Sequence, residues 1–143
     1  MRRFVRAGLA ALLLVGVLAA PASASPPTIA ERSFTVALSG ANEVPPADPD
    51  GFGTARIFLH QGRGQVCFIV LVSNIGPVVA DHIHPGVAGV NGSPVVDFGG
   101  SLSGCVSGVD PALIGDIIAN PSAYYFNVHT AEFPGGAVRG QLG

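Results

Sequence analysis

The chain has 143 residues, of which 11% are charged: seven arginines, no lysine and nine acidic residues, for a formal net charge of −2. So few cations leave no patch able to neutralise a run of phosphates, which excludes nucleic acid and an anionic membrane surface as partners. Two cysteines are too few for a thiolate-only metal centre.

Arg2, Arg3 and Arg6 precede an apolar run from Leu9 to Ala20, and Ala22-Ser23-Ala24 has the small residues of a cleavage site. Residues 1–24 therefore read as a signal peptide, with a twin-arginine route left open by Arg2-Arg3. The run is short for a membrane span, nothing later replaces it, and no cysteine follows it for lipid attachment. The expected mature form has no membrane span and is secreted or otherwise exported, to an extracellular or periplasm-like compartment. Its 119 residues suit one domain with one core, and losing three arginines shifts the net charge to −5. Residues 25–31 read as a loose tail and 32–143 as the domain.

From there apolar residues recur at every second position, the period of a half-buried strand. "SFTVALSG" places Phe34, Val36 and Leu38 on one face, and "GTARIFLH" does the same with Ala55, Ile57 and Leu59. Between them, "GANEVPPADPDGFG" carries Pro45, Pro46 and Pro49 and reads as an ordered loop, not a linker. "QGRGQ" is a glycine-rich turn into "QVCFIVLVS", whose unbroken apolar run predicts a central strand paired with its predecessor as a hairpin. "ADHIH", "SPVVDF", "AYYFNVHT" and "AVRGQL" are four further short strands. "DPALIGDIIANP" alone reads as helical, with Asp110 as cap, Pro111 in the first turn and Asn120-Pro121 as the stop. Asp50-Gly51 and Asn91-Gly92 fit turns with positive φ. The pattern predicts an all-β fold, an antiparallel Greek-key β-sandwich of about seven to eight short strands with one short helix.

Cys67 and Cys105 are an even count in an exported chain, which reads as one disulfide in preference to two buried thiols. The bridge would close a loop of just under forty residues, worth roughly 3–4 kcal/mol in the chain-entropy model.

Three stretches together resemble the CHRD (chordin) domain family: "LSGANEVPP" with "GFGTARIFL", then "ADHIHPGVAGVNGSPVV", then "YYFNVHTAEFPGGAVRGQL". The resemblance covers about residues 34 to 142, in the family's order and spacing. It implies a secreted all-β module with no catalytic residues to carry over, and the growth-factor antagonism of the animal relative does not transfer to an isolated domain.

Within those stretches lie three of the four histidines. On a strand, His82 and His84 project to one face while Asp81 and Ile83 point the other way, with roughly 6.5–7 Å between the two roots. Tyr125, Asn127 and His129 share a face of the later strand, opposite Tyr124, Phe126 and Val128. If the two strands are neighbours, His129 completes a three-imidazole set suited to copper or zinc. Asp81, Glu43 and Glu132 are the candidate carboxylate ligands or second-layer partners. The competing reading has the histidines hydrogen-bonding to loop carbonyls at Pro85–Gly92 and Pro134–Gly136. His60 reads as a surface residue.

Three functions remain. One is an extracellular binding or structural module, its ligand or protein partner unnamed, which the resemblance favours. The second is a metal-binding protein using His82, His84 and His129. The third is a copper-dependent enzyme, since a His-x-His strand, a glycine-rich loop and a later cysteine loosely resemble copper-zinc superoxide dismutase. No further histidine before Cys105 supplies a bridging ligand or second metal there. No serine sits in a Gly-x-Ser-x-Gly context and no carboxylate pair is singled out, so the chain reads as a non-enzyme.

Overall fold

The structure is a computed structural model that describes residues 30–143. The expected leader, residues 1–24, and residues 25–29 of the expected tail lie outside the described residues. β1 begins at Glu31, inside the stretch read as tail, because Ala30 and Gln61 clasp through two hydrogen bonds, Ala30 N–H to Gln61 Oε1 and Gln61 N–H to Ala30 O.

Eight strands follow: β1 (Glu31–Ser39), β2 (Phe52–His60), β3 (Gln65–Ser73), β4 (Val78–Pro85), β5 (Val96–Asp97), β6 (Ser103–Ser107), β7 (Tyr124–Thr130) and β8 (Val138–Gln141). One α-helix, α1 (Pro111–Ala119), lies between β6 and β7, capped by Asp110 accepting from Ala112 N–H at 2.8 Å. The strands form a single antiparallel sheet in the order β5-β4-β7-β8-β1-β2-β3-β6, nearly closed on itself. The chain leaps from one half of the sheet to the other after β3, β5 and β6, and β8 stitches the halves together between β7 and β1. The architecture is thus the all-β sandwich or barrel with one helix that the alternation implied.

The core collects the inward residues of that alternation: Phe34, Val36 and Leu38, then Ala55, Ile57 and Leu59, then Val66, Phe68 and Val70. Ile83, Phe126, Val128 and Val138 meet them from the other half, and Ile114 and Ile117 of α1 are fully buried against the same cluster. Each such side chain contributes about 1.5–3 kcal/mol by leaving water.

β2 and β3 are a hairpin in register from Phe52–Ser73 to His60–Gln65, its turn closed by Gly64 at φ 56°. β3 is flanked on both sides, by β2 and β6, as its apolar run implied, but its outer face is left open. It lies one place from the edge, and Ile69 and Leu71 point outward, 45% and 71% exposed. The strand beyond it, β6, had no apolar alternation to reveal it. It is drawn in by pairing, with Cys105 opposite Cys67 and a disulfide joining them. Neither Gly51 nor Gly92 has positive φ. A Cβ on Gly92 would stand 1.9 Å from Pro85 O, and one on Gly51 within 2.8 Å of the Asp48 carboxyl, so close approach is what demands glycine at both. Among the described residues no helix is long and apolar enough to cross a membrane.

Candidate metal centre

β4 and β7 are hydrogen-bonded neighbours, with His82 opposite Asn127, His84 opposite Tyr125 and Ala80 opposite His129. This register brings His82, His84 and His129 onto one face, with one donor atom of each within 4.8 Å of the others. Every residue of β7 is buried. Its inward face packs in the core, and its other face carries Tyr125, Asn127 and His129 beneath the loops after β4 and β7.

The ring nitrogens divide into outer and inner sets. His84 Nδ1 is 2.8 Å from Gly92 O, and His129 Nδ1 is 3.0 Å from Pro134 O. A carbonyl only accepts, so both rings carry their proton on Nδ1 and present a lone pair at Nε2. Those two Nε2 atoms each lie 3.0 Å from Asn127 Oδ1. His82 turns Nδ1 inward, 3.0 Å from His129 Nε2, and Nε2 outward, 3.7 Å from Asp97 Oδ1. The Nε2 lone pairs of His84 and His129 therefore converge with Asn127 Oδ1 as acceptors, and His82 Nδ1–H donates to His129 Nε2 in the metal-free protein. Burial holds all three imidazoles below their ordinary value, which keeps them neutral and their lone pairs available.

Asn127 is aimed by what lies behind it. Its side chain hydrogen-bonds to the Glu43 carboxyl, which leaves Oδ1 turned toward the imidazoles. Glu43 itself is buried, and desolvation pushes its carboxyl up to about 7 against the opposing pull of Arg139. Asp81 is also buried but faces away, accepting from Gly100 N–H at 2.8 Å. Glu132 is exposed and lies beside Glu43 along a neighbouring groove, not against the histidines. Of the three carboxylates singled out from sequence, only Glu43 reaches the cluster, and it does so through Asn127. His60 pairs with Glu31 at 3.2 Å at the far end of the sheet.

Asp97 and Arg139 are site residues that sequence reasoning passed over, and Asn127 was placed on the His129 face without a role. Asn127 had a signal, since strand period puts it on the His129 face; Asp97 and Arg139 had none. Arg139 is 1% exposed and donates to Val87 O, Val90 O, Asn91 Oδ1 and Gln141 Oε1 at 2.9–3.1 Å. Its guanidinium lies 3.3 Å from the Tyr125 ring centroid. It thereby folds the loop after β4 over the site and places the Gly92 carbonyl that orients His84.

Ligand atoms about 2.0–2.1 Å from an ion stand roughly 3.4 Å apart in a tetrahedron, so shifts of about an ångström would close these three nitrogens on one centre. Imidazole donors suit borderline divalent ions such as copper and zinc.

The CHRD domain family model matches residues 34–142. No curated protein and no solved structure gives a significant match to the chain. The matched span takes in β1 from Phe34, all of β2 to β8 and every residue of the histidine cluster, and the chain belongs to the CHRD domain family.

Proposed function

We propose that the protein works outside the cell as a binding module whose β4–β7 face holds one divalent transition-metal ion, copper or zinc, on His82, His84 and His129. The observation that carries this reading is directional. The outer nitrogens of His84 and His129 are hydrogen-bonded to Gly92 O and Pro134 O, and that of His82 faces the Asp97 carboxylate at 3.7 Å, while the inner nitrogens and Asn127 Oδ1 face one another. Outer acceptors on backbone carbonyl and carboxylate are the arrangement that fixes imidazoles as metal ligands. The Nε2 lone pairs of His84 and His129 converge on Asn127 Oδ1 as acceptors that repel it, and a cation relieves them. Export is supported by the leader-like residues 1–24 and by the Cys67–Cys105 disulfide, which persists in oxidising compartments.

Copper or zinc titrated into tag-free protein should raise its melting temperature, because the unfolded chain cannot hold the ligand geometry. The rise should vanish in a His82→Ala, His84→Ala double variant and shrink below pH 6 as protons compete for the rings. An equal response from wild type and variant would leave the cluster a purely structural hydrogen-bond network. If copper gives the larger rise, a superoxide assay on the copper-loaded protein tests a redox use of the ion.

A further inference from the structure

We propose a second binding site, independent of the metal reading: the groove between segments 44–47 and 132–136, which takes a primary alkylammonium group with its charge on Glu43. The groove has a volume of about 280 Å³. That is just under the ~300–1,000 Å³ of pockets for drug-sized ligands, and suits a guest the size of a side chain. Glu43 lines it, and its Oε1 is buried without a hydrogen-bond partner. The Asn127 side chain and the Val44 amide already serve this carboxyl, so one oxygen is left unserved. Arg139, which acts on Glu43 through its charge, has its guanidinium committed to the loop carbonyls, Asn91 and Gln141.

A buried carboxyl oxygen in that state lacks a donor. A single free oxygen matches the point-like donor of an ammonium and not the two-pronged fork of a guanidinium. Pro45, Pro46, Phe133 and Pro134 give the walls an apolar character suited to an alkyl stem. Glu132 adds a second negative charge at the exposed rim. The chain has no lysine, so the guest is a free amine or the lysine side chain of another molecule.

The test is an amide-resonance titration of the chelator-treated protein with n-butylammonium, 1-butanol and n-butylguanidinium, followed by a capped Gly-Lys-Gly peptide. Butylammonium should shift the amides of Val44, Ala47, Phe133, Gly135 and Gly136 saturably, and the other two probes should bind at least about tenfold more weakly, the worth of a charge-assisted hydrogen bond. Glu43→Gln should lose about tenfold in affinity and Glu132→Gln about twofold, the latter deciding the matter if the buried variant folds poorly. Tighter binding of the peptide assigns the site to a partner's lysine, and tighter binding of butylammonium to free amines. Equal binding of butanol and butylammonium, or no shift at these amides, overturns the proposal. Chelator treatment keeps the outcome separate from that of the metal titration.

Discussion

The imidazole of His84 and the phenol ring of Tyr125 lie flat on one another, 4.8 Å between centroids and 3° from parallel. Arg139 sits against the same phenol ring. The stack therefore runs from the loop-holding guanidinium to a ligand-capable nitrogen.

Arg139→Met should be among the most damaging single changes. It strands Val87 O, Val90 O and Asn91 Oδ1 without their donor, and should cost about 3–5 kcal/mol in urea unfolding. Arg139→Lys should recover little of this, because one ammonium cannot reproduce the fork. A variant as stable as wild type would show that the loop after β4 holds itself.

Asn127→Asp adds a charge at the meeting point of the three histidines. In metal-free protein it should lower stability by about 1–3 kcal/mol, since a buried carboxylate would then face Glu43. With zinc the same change should tighten binding by roughly tenfold or more, a carboxylate being a better ligand than an amide. Competition against a chromophoric chelator reads the affinity. Weakened zinc binding would place the ion, or its absence, elsewhere.

Acidity should act on the metal-free fold from both sides. Burial raises Asp81 to about 6 and Glu43 to about 7, from 3.8 and 4.5. A raised carboxyl stabilises the fold below its unfolded value and loses that contribution as pH rises through its folded one. Asp81→Asn should therefore gain about 2 kcal/mol at pH 7.5 and nothing at pH 4, measured by urea midpoints. The three histidines act oppositely. Their depressed values give stability that is present above about pH 6.5 and lost as pH falls through the folded values. Stability that climbed steadily from pH 5 to 8 would contradict the buried acids.

The disulfide spans 38 residues of sequence, which in the chain-entropy model is worth about 4 kcal/mol. Reduction, or a Cys67→Ala, Cys105→Ala double variant, should lower the denaturation midpoint accordingly. Hydrogen exchange should quicken first at Ser103–Ser107, an edge strand whose residues are otherwise mostly exposed. Protection unchanged in β6 would mean that the ladder to β3 suffices alone.

Strand period alone makes β1, β2 and β7 legible, because Phe34-Val36-Leu38, Ala55-Ile57-Leu59 and Phe126-Val128 repeat every second residue and do fill the core. The helix is legible from Asp110 and Pro111 for the same local reason. β6 is not, since Ser-Gly-Cys-Val-Ser owes its strand to a partner 38 residues away and not to its own residues. The apolar run of β3 marks a strand paired on both sides, yet it also supplies an outer face, Ile69 and Leu71, that the fold leaves in water. Two histidines on β4 could be read as sharing a face. Their meeting with His129 depends on the β4–β7 register, the Asp97 contribution on the β4–β5 pairing and the Arg139 contribution on the loop after β4, none of which a period encodes.

β8 has only four residues, yet among the described residues it is the one strand that pairs the β5-β4-β7 half with the β1-β2-β3-β6 half. It is also the last strand of the domain to be synthesised. Seven strands can emerge from a ribosome without the sheet being continuous, and only the arrival of Val138–Gln141 lets the two halves zip. A chain whose seam is laid last cannot complete its sheet until its final strand is free to pair.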